Sequence, residues 1–355
     1  MVTVDRRNES VGDTVTAVWQ IETTDELPAE SEMLDRLVGG SRRSDNGTGE
    51  DGTVDGMTET RLNDELMVQF RHRGGDGFVA TIAKDGTGAL VGYGQVSRSP
   101  HGCTIGAVID GGVQPADRES ISTALFGSLF SAIADSGGGE VTWWAPSATS
   151  ADEDLARTFG MTPTRTLLEM RCPLPLDASV VADAESSVTA PFLTRPFLTR
   201  PFVTRPFVVG QDDDAWLSVN NRAFASHHEQ GSWTLATLHT RLREPWFAAE
   251  DLLLHELDGR LAGFCWMKLH PRTGSGAGPL GEIYVIGVDP DCAGVGLGRS
   301  LAVAGYRHIT ARGAGTAMLY VDDDNVKAIH LYESLGLRVS RHDVAYVTTV
   351  PGRFS

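Results

Sequence analysis

The sequence predicts an α+β fold used twice in tandem, each domain a mixed, mostly antiparallel central sheet flanked by helices. Three observations predict it. Two strand–turn–strand segments, FVATIAKDGTGALVGYGQVSR from Phe78 and LLLHELDGRLAGFCWMKL from Leu252, carry Asp-Gly at the turn, which is a strong short-range hairpin signal. Each is followed by the same series of an apolar strand, a longer helix, a strand, a short helix and a strand. The spacing also agrees: Asp85 to Gly160 and Asp258 to Gly336 are 75 and 78 positions apart.

In the first copy, an apolar strand at 103–109 precedes a helical pattern at about 115–135. The strand EVTWWAP, a short helix ending at Phe159-Gly160 and the strand TRTLLEMRCPL complete it. In the second copy the strand covers 281–289 and the helix about 296–312. TAMLYVD, a short helix ending at Leu335-Gly336 and RHDVAYVTTV follow. The expected division is a first domain at 1–175, a linker at 176–200 and a second domain at 201–355. Within the first domain, residues 39–58 are Gly, Asp, Ser and Thr with almost no large apolar group, which predicts a mobile surface insertion. PFLTR-PFLTR-PFVTR-PF, from Pro191 to Phe207, places a proline every five residues. Proline removes the backbone donor, so this repeat is expected to be an extended spacer rather than helix or central strand.

Composition narrows the function. The chain has 355 residues and a formal charge of −17, which disfavours nucleic acid or an anionic membrane as partner because both need a basic footprint. Cys103, Cys172, Cys265 and Cys292 form no paired motif, and no histidine spacing suits a metal. The expectation is a cytoplasmic monomer that needs no metal and acts on a small molecule.

Two segments carry chemistry. In GEIYVIGVDPDCAGVGLGRSL, 281–301, an apolar strand ends at Asp289-Pro290, and Gly294, Gly296 and Gly298 precede a helix. Glycines adopt φ > 0 and let a ligand approach the backbone. A helix N-terminus adds unpaired N–H groups and a positive dipole end. Together they make a pyrophosphate cradle that needs no basic side chain. The segment lacks the GK[ST] of an ATP loop and the acidic partner of a dinucleotide site. In LYVDDDNVKAIHLYESLGL, 319–337, Asn325 follows an acidic run and can start a helix. Helical spacing puts Asn325, Ile329 and Tyr332 on one face, and Ala328, Leu331 and Leu335 on a packing stripe.

These segments, in this order, resemble the GCN5-related N-acetyltransferase (GNAT) family. Its loop reads R/Q-x-x-G-x-G/A and its next helix N-x-x-A-x-x-x-Y-x-x-x-G-F. Gly296, Gly298, Asn325, Ala328, Tyr332 and Gly336 match, while Ala293 stands at the R/Q position and Leu337 at the aromatic one. Losing that R/Q side chain removes one contact and leaves the backbone cradle. The tandem layout, NNRAFASHHEQGSWT, CWMKLHP, GEIYVIGVDP and LYVDDDNV resemble a two-domain branch of the family that acetylates the cysteinyl amine of a cysteinyl-glucosaminyl-inositol.

The resemblance implies that acetyl-CoA is the acetyl donor. Its pantetheine arm would lie along Ile286, Gly287 and Val288. Its phosphates would lie on Ala293, Gly294, Val295, Gly296, Leu297, Gly298 and Arg299, and the lower arm against Asn325, Val326, Lys327, Ala328, Ile329 and His330. It further implies Glu282 as general base, Tyr332 as general acid to the thiolate, and Asp25, Glu229, Lys268, Glu282 and Tyr320 as acceptor contacts. In the first copy no G-x-G-x-G follows the strand in GAVIDGGVQPADRES, 106–120, so that domain is expected to hold the cofactor poorly. Two other readings remain open: a GNAT enzyme acting on another amine, such as a peptide N-terminus, and a CoA-binding module without turnover.

Overall fold

The computed structural model describes residues 2–4, 19–25, 27, 32–39, 62–72, 77–99, 102–182, 202–227, 230–270 and 278–353. The expected insertion beyond residue 39, the repeat from Pro191 to Pro201, and Glu229 lie outside the described residues. By packing, the chain divides into two compact units: Met1–Leu167 together with His342–Ser355, and Leu168–Arg341.

The first unit contains β1 (Val2–Val4), β2 (Trp19–Thr24), α1 (Glu32–Gly39), α2 (Asp64–Arg71), β3 (Val79–Lys84), β4 (Leu90–Ser99), β5 (Gly102–Ile109), α3 (Pro115–Asp135), β6 (Gly138–Ala145), α4 (Ser150–Thr158) and the start of β7 (Thr162–Pro173). Its strands run β1-β2-β3-β4-β5-β6 and are followed by the second half of the chain's last strand. The β3–β4 hairpin forms at the expected Asp-Gly, where the Asp85 carboxylate accepts the Thr87 and Ala89 N–H groups at 2.8 and 2.9 Å. Helix α3 spans the expected 115–135. It buries Ile121, Leu125, Phe126, Leu129 and Ile133, one stripe at helical period, each side chain worth about 1.5–3 kcal/mol when removed from water.

The second unit holds the rest of β7, then β8 (Thr204–Pro206), α5 (Asp213–Ala223), α6 (Leu235–Leu242), β9 (Leu252–Leu257), β10 (Arg260–His270), β11 (Leu280–Val288), α7 (Leu297–Ala311), β12 (Thr316–Asp322), α8 (Val326–Ser334) and the start of β13 (Arg338–Pro351). Its strand order is β7-β12-β11-β10-β9-β8. Pro206 sits on the outermost strand, where a missing donor costs no ladder bond. Each unit has a parallel pair, β5–β6 and β11–β12, while the β3–β4, β4–β5, β9–β10 and β10–β11 pairs are antiparallel. Each sheet is therefore mixed and mostly antiparallel, as the sequence predicts.

The packing units differ from chain order in which residues they claim. Tyr346 and Val350 of β13 lie in the first unit's core with Val141 and Trp143, and β13 pairs with β6 from Val344 to Pro351. Leu168, Met170 and Cys172 of β7 lie in the second unit's core with Cys265, Leu301 and Tyr332. Both strands therefore begin in one unit and end in the other.

Candidate active site

The two faces of the second sheet can be told apart from their packing. Cys265, Met267, Ile283, Ala317, Leu319 and Val321 pack with α7 and with Tyr332 of α8. Phe264, Trp266 and Val285 pack with Trp216 and Val219 of α5. Side chains alternate between faces along a strand, so Lys268, His270, Glu282, Met318, Tyr320, Asp322, Glu169 and Arg171 fall on the α5 face.

In β11 the alternation breaks. Met267 pairs with Ile283 and Trp266 with Val285, leaving Tyr284 as an extra residue in β11. This is a β-bulge, a device that kinks a strand and re-aims its side chains. Tyr284 and Val285 consequently both join the α5-face cluster. The parallel ladder ends at the same place. Leu280–Ile283 pair with Thr316–Leu319, and the described pairs stop there, although β11 continues to Val288 and β12 to Asp322. Beyond the bulge the two strands part. Ile286, Gly287 and Val288 lie on the β11 edge that faces the resulting opening.

Glu282 is the last α5-face residue of β11 before the bulge. Its carboxylate is buried, 6% exposed, and its Oε2 lies 2.6 Å from His270 Nε2. Lys268 pairs with Glu282 across the β10–β11 ladder, and its Nζ lies 5.0 Å from the Trp246 ring centroid and 5.4 Å from that of Tyr284. Aromatic faces at this range favour the charged ammonium.

Tyr320 joins a buried ionic group. Its hydroxyl donates to Glu169 Oε2 at 3.3 Å and accepts from Arg341 Nη2 at 2.8 Å. Glu169, 1% exposed, also accepts from the Ser340 hydroxyl at 2.5 Å and pairs with Arg171 at 2.5 Å and Arg341 at 3.2 Å. Burial penalises its charge, but the Ser340 hydroxyl and the Arg341 and Arg171 guanidiniums outweigh that and hold its carboxyl below the usual range. Sequence reading missed Glu169, Arg341 and His270. The available signal for Glu169 was its phase in LLEMRC, opposite Leu168 and Met170, which reads equally as a solvated strand position.

The glycine loop forms as expected. Gly294 and Gly296 both have φ of +82°. Gly296 is the N-cap of α7, with no side-chain cap and no acidic residue in the first turn, so the helix start keeps its N–H groups and dipole for an anion. Arg222 of α5 pins the loop, bonding Asp289 at 3.0 Å and Asp291 at 2.8 Å. The Arg299 guanidinium donates to Ser334 Oγ at the far end of α8. Asn325 caps α8 by accepting the Ala328 N–H at 3.3 Å, and Asn325, Val326, Lys327 and His330 are exposed. One expectation is corrected here. Tyr332 does not share an outward face with Asn325; it is buried in the core with Leu335, and Ala328, Ile329 and Leu331 pack against that core. The short helix lies along the core, so Tyr332 and Leu335 are buried in it while Ala328, Ile329 and Leu331 are half-buried against it. Burial, with Cys265 nearby, pushes the Tyr332 phenol pKa up. Glu282 and Tyr332 thus belong to opposite faces of the sheet, at the level where β11 and β12 separate.

Asn220 Nδ2 donates to the Gln230 carbonyl at 2.9 Å and Gln230 Nε2 returns to Asn220 at 2.8 Å. Asp25 follows β2 in the first unit and is exposed.

The first unit repeats the opening without its fittings. β5 pairs with β6 only over Cys103–Ile105 and Val141–Trp143, yet the β4–β5 register runs evenly with no bulge. Just past that ladder, a Cβ on Gly106 would lie 2.6 Å from Leu66 and 2.8 Å from Leu62, so leucine side chains crowd that face of β5. At the helix start, Pro115 lacks an N–H, Asp117 adds negative charge, and the Asp110 carboxylate already accepts the Gly112 N–H at 2.7 Å.

A sequence profile of the Acetyltransferase (GNAT) family matches residues 216–337. A protein of Thermobispora bispora named mycothiol acetyltransferase is 40% identical over 289 residues, 80% of this chain and 88% of that relative. One of the same name from Streptomyces avermitilis is 38% identical over 83% of this chain and 87% of the relative. Among solved structures, a GCN5-related N-acetyltransferase from Sphaerobacter thermophilus superposes with a TM-score of 0.62 at 19% identity, covering 94% of this chain and 96% of that one. A tandem GNAT protein from the clavulanic acid biosynthesis pathway gives 0.61 at 12% identity, covering 93% and 99%. The solved structures share the fold.

Proposed function

This chain belongs to the mycothiol acetyltransferase family of GNAT acetyltransferases, and from that premise we propose that it transfers the acetyl group of acetyl-CoA to the cysteinyl amine of cysteinyl-glucosaminyl-inositol, in the cytoplasm. The observation that carries the reading is the coincidence, at Tyr284, of the bulge with the end of the β11–β12 ladder. A parted pair of strands exposes backbone donors and acceptors on facing edges, which a pantetheine arm can bind as an added strand would.

In this reading the pyrophosphate rests on Ala293–Arg299 at the uncapped start of α7, and the arm passes Ile286, Gly287 and Val288 on one side and Asn325–His330 on the other. The bulge leaves a backbone N–H out of the ladder, suited to polarising the thioester carbonyl. Glu282 takes a proton from the amine, and Tyr332, kept protonated by its burial, gives one to the departing thiolate. Lys268, Tyr320, Glu282 and Glu229 bind the polyhydroxylated acceptor, since carboxylates and ammonium groups each engage several hydroxyls. The chemistry requires no metal. Four free thiols suit a reducing compartment.

The test is CoA release with cysteinyl-glucosaminyl-inositol set against peptide N-termini, amino sugars and free cysteine. The cysteinyl-glucosaminyl-inositol should give the highest kcat/KM. A peptide or an unrelated amine that outperforms it would show that the acceptor is misassigned.

A further inference from the structure

From the contact between Glu282 and His270 we propose that His270 is the proton exit of the site, a relay that empties the buried general base into solvent after each turnover. The proposal rests on Glu282 as the base. An α-amino group with a pKa near 8 is mostly ammonium at neutral pH. The acceptor ammonium gives one proton to the Glu282 carboxylate. The free amine then attacks the thioester carbon, the C–N bond forms, and the carbonyl pair moves to oxygen. When the C–S bond breaks, the thiolate takes the Tyr332 proton, and the surplus proton on nitrogen restores Tyr332. One proton remains on Glu282 and must leave before the next cycle.

Glu282 cannot release it directly, because its side chain is 8% exposed. His270 Nε2 lies 2.6 Å from Glu282 Oε2, and the imidazole is 28% exposed, so the ring bridges the buried acid and the surface. Imidazole can accept on one nitrogen while releasing from the other. Nε2 takes the Glu282 proton, Nδ1 gives one to water, and exchange with water resets the ring. The other polar neighbour in register, Lys268, is a cation held over two rings; as an ammonium it is a donor only.

The test compares His270→Gln, which keeps a donor but cannot relay, with His270→Ala and Glu282→Gln, using the acceptor the wild type prefers. Calorimetric acetyl-CoA titration and thermal unfolding report folding. Both His270 variants should bind acetyl-CoA as the wild type does and lose about 10²-fold in kcat. Added imidazole should restore His270→Ala in a saturable way and leave Glu282→Gln unchanged. The relay is overturned if the His270 variants turn over at the wild-type rate while Glu282→Gln does not, or if imidazole restores nothing. A fully active Glu282→Gln would remove the base itself, and the relay with it.

Discussion

Burial penalises ionisation of the Tyr332 phenol, so at neutral pH the residue holds its proton and is a donor for the negative charge that develops on the leaving sulfur. Tyr332→Phe should therefore lower kcat by about 10²-fold or more and leave acetyl-CoA affinity near wild type, because the ring still fills its place in the core. Equal losses in turnover and affinity would assign Tyr332 to packing alone. At Glu169 the expected effect is on stability. Two arginines converge on one buried carboxylate, and removing a buried partner leaves charge uncompensated at a cost of about 3–5 kcal/mol. Glu169→Gln, which can still hydrogen-bond Ser340 and Tyr320 but carries no charge, should lower the urea midpoint nearly as far as Glu169→Ala. A Glu169→Gln midpoint close to wild type would show that the carboxylate charge is not what holds Arg171 and Arg341. Neither feature was legible as such. A glutamate alternating with Leu168 and Met170 reads as solvent-facing until Arg341, distant in sequence, is folded onto it.

At the scale of elements the sequence was largely legible. Asp-Gly turns, apolar runs and helix-ending glycines placed both hairpins, α3 at 115–135 and α7 within a residue at each end. The bulge was not legible, because Tyr284 fits the alternation of an ordinary strand and only the partner register exposes the extra residue. The two glycine-bearing loops differ in ways that predict different binding. Gly296 has φ of +82° at an uncapped helix start; a β-branched side chain there is strained by roughly 1–2 kcal/mol and stands in the cradle. Gly296→Val should abolish acetyl-CoA binding in calorimetry while the chain stays folded, and Gly112→Ala should change nothing. Wild type should titrate with one site per chain. Two comparable sites would show that Pro115, Asp117 and the Asp110–Gly112 bond do not close the first loop.

Over the whole molecule, chain order misleads. Cutting at 201 removes Leu168, Met170 and Cys172 from the second unit's core and leaves Tyr346 and Val350 without Val141 and Trp143. A fragment of residues 201–355 should lose cooperative unfolding, whereas the full chain should unfold cooperatively; a well-folded 201–355 fragment would mean that the shared strands are dispensable. The sequence could not reveal this sharing, because each half of β7 and of β13 has the pattern of an ordinary strand. The central claim is acetyl transfer to nitrogen at the parted strands of the second unit. The acceptor offers both an amine and a thiol, so the most direct measurement is where the acetyl group resides in the product of acetyl-CoA and cysteinyl-glucosaminyl-inositol, read by thiol titration and by stability to hydroxylamine. The account predicts a product with a free thiol and a hydroxylamine-stable acetyl group; a masked thiol released by hydroxylamine, or no acetylated product, would contradict it.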